Sequence, residues 1–207
     1  MASALTAEVH AAPSAVRSGA IILARHGEPA LSRRVRLSAD EYRRFWADYE
    51  VLGLLPGQTP PDSLLRFVAR CGTLIASTRQ RSIESAQALA AGRAFTREAL
   101  LIEAPLPPPH WPRWVRLTPR MWGFWARIWW WFFNHHEGQE TRIQAQARAE
   151  QAAALLIDLA AGGQDVVVLA HGFFNFMVGR ALRRRGWRLA ASEGYKYWSM
   201  RRFERAR

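Results

Sequence analysis

Four short stretches of this chain bring together side chains suited to phosphoryl chemistry, each at the end of an apolar run. Arg25-His26-Gly27-Glu28 follows residues 19–24, and Ser77-Thr78-Arg79-Gln80-Arg81 follows residues 73–76. Glu103 closes residues 97–103, and His171-Gly172 follows residues 165–170. A neutral imidazole can attack phosphorus and form a covalent phosphohistidine, which splits a hard hydrolysis into two easier steps. The planar fork of arginine matches phosphoryl oxygens. Glycine after the histidine lets the backbone turn sharply and approach a ligand closely. A carboxylic acid can hand a proton to a leaving alkoxide.

The elements that must position these groups alternate along the chain. Unbroken apolar runs at 19–24, 73–76 and 165–170 read as strands buried on both faces, and 97–103 reads as a third strand between them. Residues 195–203 alternate well enough to be a final strand. Ser38 and Glu41 have capping-box spacing and open a helix carrying Tyr42, Phe45, Trp46 and Tyr49. Further helices are predicted over 61–69, from Arg81 through Ala91, over 141–161 ending at Gly162-Gly163, and from Gly172 through Arg184. Five prolines between 105 and 112 exclude regular structure there. Strands alternating with helices predict a three-layer α/β/α fold around a mainly parallel sheet. In such sheets a ligand sits beyond the carboxyl ends of the strands, where all four stretches fall.

In this order and spacing the motifs resemble those of the histidine phosphatase superfamily, the phosphoglycerate-mutase-like group, in its phosphatase branch. The matching residues are Arg25-His26-Gly27, the run Ser77-Thr-Arg-Gln-Arg81-Ser-Ile-Glu-Ser85-Ala86, and His171-Gly172. The resemblance covers roughly 19–103 and 138–203. It implies His26 as nucleophile, with Arg25, Arg81 and His171 holding the phosphoryl group, and His171 also counted with the catalytic residues. Arg81 is preferred to Arg79 because the family's arginine lies four residues before the pair matched by Ser85-Ala86. Glu103 falls where the family's acid follows the third strand. Glu28 is the reserve acid. Glu140, in Gly138-Gln139-Glu140-Thr141, resembles a segment of the mutase-like branch, although a charge at a helix start explains it equally well.

The resemblance also implies that no cofactor or metal is required; His135-His136-Glu137 is not read as a metal site. The stretch after Glu28 lacks the Thr-x-x-Asn and Gly-x-x-Asp pattern of mutases and fructose-bisphosphatases. Hydrolysis of a phosphomonoester is therefore expected. The alternatives are a phosphotransferase or mutase of the same superfamily, and a catalytically weak, membrane-associated binding protein.

Residues 104–137 read as an insertion, and seven of the ten tryptophans lie between 111 and 133. Thr118-Pro119 can cap and begin a helix there, with Arg120, Gly123 and Arg127 as its narrow polar stripe. Three roles stay open for this segment: a cap or pocket wall, a peripheral membrane contact, or a homodimer surface. As a pocket wall it implies a phosphorylated substrate with an apolar part, either a small molecule or a lipid-linked one.

The chain has 207 residues, enough for one domain, expected over 19–207 behind a loose arm at 1–18. The net charge of +12 is almost entirely arginine, since Lys196 is the only lysine. Without a long basic run or a nucleic-acid-binding signature, no nucleic-acid partner is expected. The lone Cys71, in a run that reads as strand, suits a buried thiol and a reducing compartment. With no secretory signal and no spanning apolar stretch, the expected location is cytoplasmic, peripheral to the membrane if the Trp-rich segment meets lipid.

Overall fold

The computed structural model describes residues 18–206, so the expected arm at 1–18 lies outside the described residues except for Ser18. In chain order the elements are β1 (Ile21–Arg25), α1 (Ala39–Val51), α2 (Asp62–Arg70), β2 (Thr73–Ser77), α3 (Gln80–Ala90) and β3 (Thr96–Glu98). There follow α4 (Pro119–Phe133), α5 (Arg142–Ala160), β4 (Val166–Ala170), α6 (Gly172–Arg184), β5 (Trp187–Ser192) and β6 (Met200–Arg205).

The six strands form one sheet in the order β3-β2-β4-β1-β6-β5. β3, β2, β4 and β1 run parallel, while β6 is antiparallel to β1 and β5 to β6. Apolar side chains alternate between the faces. Ile21, Leu23, Val166 and Val168 pack with α5 and α6, whereas Ile22, Ala24, Val167 and Leu169 pack with α2 and α3. Fully buried β4 therefore has no polar position, which is why it reads as a continuous apolar run.

This topology lines up the chemistry. The parallel neighbours β2, β4 and β1 end at Ser77, Ala170 and Arg25, so Ser77, His171 and His26 emerge side by side. The antiparallel β6 begins at the same end of the sheet, which brings Trp198 and Ser199 there as well: Ser199 O accepts from Arg25 N at 3.0 Å, and His26 O accepts from Trp198 N at 3.4 Å.

Two predicted elements differ from the structure. The strand expected over 97–103 is only Thr96–Glu98, followed by a 3-10 turn at Ala99–Leu101. The Glu98 side chain accepts from Leu100 N at 2.9 Å and caps that turn, ending the extended run. The strand expected over 195–203 begins at Met200 and extends to Arg205; Gly194 and Trp198 have positive φ and hold the preceding stretch in a turn. The edge strand β5 was not expected from the sequence, since all of it except Trp187 is exposed and polar residues interrupt any apolar pattern. Cys71 is buried as expected but caps the end of α2 rather than lying in a strand.

Three of the helices, α1, α4 and α5, start where a side chain caps them. Ser38 and Glu41 form a reciprocal capping box at α1, and Thr141 and Gln144 form another at α5. Thr118 caps α4, and Pro119 takes its first turn, where no N–H is needed. α4 turns Trp122, Gly123, Ala126 and Trp130 inward. Both indoles are fully buried and satisfied: Trp122 Nε1 donates to Leu37 O at 2.7 Å and Trp130 Nε1 to Glu140 O at 3.0 Å. Among the described residues, no helix is long and apolar enough to cross a membrane.

Candidate active site

The backbone fixes His26 before any side chain acts. His26 N donates to Ala170 O at 3.0 Å, and Gly27 N donates to Ser85 Oγ at 2.9 Å. Gly27 has no alternative: a Cβ there would lie 2.5 Å from the Trp198 ring. The imidazole Nδ1 is 2.7 Å from Gly27 O, an acceptor, so the ring proton sits on Nδ1. Nε2 is left with its lone pair. Burial, then the charge of Arg81, then that of Arg25, hold the His26 pKa well below the ordinary histidine value, so the ring stays neutral.

Arg81 rises from the first turn of α3 and is wholly buried. Its Nε faces His26 Nε2 at 3.3 Å, and its NH2 faces His171 Nδ1 at 3.3 Å. Its NH1 donates to Tyr49 O at 2.7 Å, NH2 also pairs with Glu50 at 2.9 Å, and the guanidinium stacks on the Tyr49 ring at 4.5 Å. Because arginine only donates, His171 Nδ1 accepts, and its Nε2–H donates to Ser77 Oγ at 2.9 Å. His171 is likewise held neutral, first by burial and then by Arg81. The His26 and His171 rings meet edge to face, 5.1 Å between centroids.

Arg25 reaches the same place from the end of β1. Its NH1 donates to Tyr195 O at 2.7 Å, its guanidinium stacks on Tyr197 at 4.2 Å, and its buried Nε has no partner. Gly172 leaves it room, since a Cβ there would lie 3.4 Å from Arg25 Nε. The structure thus gathers Arg25, His26, Arg81 and His171 into one cationic cluster, while Arg79 makes no hydrogen bond to either histidine ring and pairs with Glu50 at 2.7 Å.

A cleft of about 980 Å³ opens beside this cluster. Arg25, Gly172, Glu103 and Glu28 line it, together with aromatic side chains including Tyr42, Trp46, Phe173 and Tyr197. Glu103 is held by the first turn of α6: Oε1 accepts from Phe174 N at 2.9 Å and Oε2 from Phe173 N at 3.4 Å. Glu28 is exposed on the rim, fixed through its backbone by Gln58. Glu140 belongs elsewhere. It forms a two-point ion pair with Arg148 and lines a neighbouring cavity of about 440 Å³ that shares Trp46 and Glu103 with the cleft.

Three contributors were not read from the sequence. Glu50 anchors Arg81 from α1, Tyr49 supplies the ring beneath it, and Arg33 lies over the rings that partner Arg81 and Arg25, Tyr49 at 4.9 Å and Tyr197 at 5.8 Å. Only the Tyr49 position at helical spacing on α1 hinted at burial. His110 is a further surprise: it joins His135 around Glu137, with Nε2 to Oε1 distances of 2.7 and 3.4 Å. Arg43 already donates to both oxygens of Glu137 and holds its carboxyl below the usual range, so this cluster is an ion-pair network binding the insertion to α1.

The sequence pattern of the histidine phosphatase superfamily (branch 1) matches residues 63–204, more than half of the chain. The chain belongs to the histidine phosphatase superfamily. The matched stretch includes Arg81, Glu103 and His171 and begins after β1, so the place of His26 rests on the geometry above. The fold is similar to that of the Rv3214 protein of Mycobacterium tuberculosis, at 23% identity over 78% of each chain with a TM-score of 0.51. It is also similar to YhfR of Bacillus stearothermophilus, at 18% identity over 81% of each chain with a TM-score of 0.55. Likenesses at such identities carry the fold alone. No curated protein matches the chain.

Proposed function

We propose that this superfamily member is a phosphomonoester hydrolase working through a phosphohistidine on His26, on a substrate with an apolar part. The observation that carries this reading is the bond from His26 Nδ1 to Gly27 O at 2.7 Å, which leaves Nε2 unprotonated, its lone pair facing the phosphate-binding Arg81, whose Nε donates to it at 3.3 Å.

In the first step Nε2 attacks phosphorus, the bond from phosphorus to the ester oxygen breaks, and Glu103 as a carboxylic acid protonates the departing alkoxide. In the second step water attacks phosphorus, Glu103 accepts its proton, and the P–N bond breaks to release phosphate and free His26. Arg25 and Arg81 are charged donors fixed in advance where negative charge develops, so they need not reorganise during reaction. Burial first and then the arginine charges keep His171 neutral; an incoming phosphoryl dianion offsets those charges, so that the ring can take a proton and add a further donor. The aromatic cleft walls favour an apolar leaving group. Transfer to a second substrate would use the same intermediate; the sequence after Glu28, which lacks the mutase pattern, favours water.

The test is hydrolysis of an aryl phosphate by the native protein and by His26→Ala, with mass spectrometry of acid-labile phosphate on the rapidly quenched native protein. Activity and label lost together in the variant are expected. Undiminished hydrolysis in His26→Ala would sink the proposal.

A further inference from the structure

We infer that the outer face of α4, with the adjoining edge of α6, docks on an anionic phospholipid bilayer and sets the mouth of the cleft beside the lipid. The inference goes beyond the proposed hydrolase reading and does not depend on it, because it rests on surface residues alone.

α4 turns Trp122, Gly123, Ala126 and Trp130 into the domain. On its opposite side, at i, i+3, i+7 and i+11, Met121, Phe124, Ile128 and Phe132 form an apolar stripe turned away from the domain. Met121 is 44%, Phe124 51% and Phe132 74% exposed. Trp125 and Trp131 flank the stripe half-buried. An indole, apolar in its body and polar at its N–H, suits the headgroup level of a bilayer. A single exposed apolar side chain needs no explanation, but a continuous row of them calls for a covering partner. The helix is too short to cross a membrane, so it would lie in the plane of the interface.

The charges around the stripe choose the partner. No aspartate or glutamate occurs over 104–136 or over 166–192, stretches that hold four and five arginines. Arg180 of α6 lies over the Trp131 and Phe176 rings, 5.8 Å from each, and Arg142 lies over Trp131 at 5.6 Å. Among the described residues neither arginine has a carboxylate partner, and Arg183 joins Arg180 and Phe176 around a hollow of about 510 Å³. Arginines of this kind rest their stems on apolar rings and offer their forks to lipid phosphates. A second copy on the same face would instead bring arginine to arginine, since neither helix offers a carboxylate. Arg120 and Phe176 border this face and also line the cleft, so docking places the cleft's mouth next to the lipid.

The test is co-sedimentation with sucrose-loaded vesicles, either phosphatidylcholine alone or phosphatidylcholine mixed equally with phosphatidylglycerol. The native protein is expected to bind the anionic vesicles about tenfold or more tighter than the neutral ones, and more weakly as salt rises. Phe124→Ser with Phe132→Ser should lower that affinity about tenfold or more. Arg180→Glu with Arg183→Glu should do the same, whereas Arg66→Glu with Arg70→Glu should lower it less than about threefold. The last pair makes an equal charge change on α2, which packs on the other face of the sheet. No binding of anionic vesicles, binding that survives the phenylalanine pair, or equal losses from the two arginine pairs overturns the docking. A dimer in place of vesicle binding, dissolved by the phenylalanine pair, overturns it in favour of a second copy. All six side chains are exposed; should the phenylalanine pair fail to fold, the two arginine pairs decide. His26→Ala should bind vesicles as the native protein does, so failure of the hydrolase reading leaves this result untouched.

Discussion

The Nδ1–H of His26 donates to the carbonyl of its own neighbour Gly27 at 2.7 Å, and that short bond sets the tautomer of the candidate nucleophile. That bond by itself favours the protonated ring, but burial and the charge of Arg81 outweigh it, so His26 remains a competent nucleophile at pH values where an exposed histidine is charged. The acid limb of kcat/KM is therefore expected to fall well below the ordinary histidine range. A pH profile losing activity with a midpoint near 6.5, the free-histidine value, would contradict this.

The same two histidines make stability depend on pH. His26 and His171 both have folded-state pKa values depressed by burial. Below about 6.5 the unfolded chain takes up protons that the folded chain refuses, so unfolding becomes easier as pH falls. Each ring can contribute up to ~1.4 kcal/mol per pH unit until its folded-state pKa is reached. Urea midpoints measured from pH 7 to 5 should fall, and His171→Asn should make the decline shallower.

Arg81 binds four partners with one planar fork: His26, His171, the Tyr49 carbonyl and Glu50. Lysine keeps the charge but cannot span them. Arg81→Lys should lower kcat by about 100-fold or more, the scale of losing a fixed donor to developing charge. Glu50→Gln should cost less, because Tyr49 O and the Tyr49 ring still hold the guanidinium. Steady-state kinetics with an aryl phosphate checks the order of the two.

How much of this was visible beforehand follows from range in sequence. The buried strands, the α1 capping box and the three motifs that follow β1, β2 and β4 are local patterns, legible because burial on both faces leaves an unbroken apolar run; Glu103 falls instead beyond a 3-10 turn rather than at a strand end. Glu50 and Arg33 were silent, since a charged residue on an amphipathic helix or loop looks like solvated surface until the fold places it beside Arg81 or Tyr197. Edge strand β5 escaped for the opposite reason: only Trp187 is buried, so no period survives. His110 was unreadable because its partners His135 and Glu137 lie beyond the whole of α4.

Gly27 lies against the Trp198 indole so closely that a methyl group at its Cα would sit 2.5 Å from the ring. Gly27→Ala should destabilise the fold by roughly 1–3 kcal/mol, the usual cost of overpacking, and lower activity by displacing His26. Adding Trp198→Ala should recover part of the melting temperature, because the clash is with that side chain. A double variant no more stable than Gly27→Ala would place the requirement in the backbone instead.

Glu103 as proton donor makes a prediction that depends on the leaving group. An alkoxide cannot depart without a proton, whereas a nitrophenolate can, so Glu103→Gln should slow alkyl phosphate hydrolysis by about 100-fold or more and nitrophenyl phosphate hydrolysis far less. Glu140→Gln serves as the contrast: its carboxylate faces Arg148, so it should change stability rather than the ratio of the two substrates. Equal losses on both substrates in Glu103→Gln would assign that carboxylate to anchoring α6 through Phe173 N and Phe174 N, and leave Glu28, exposed in the same cleft, as the acid to be tested next.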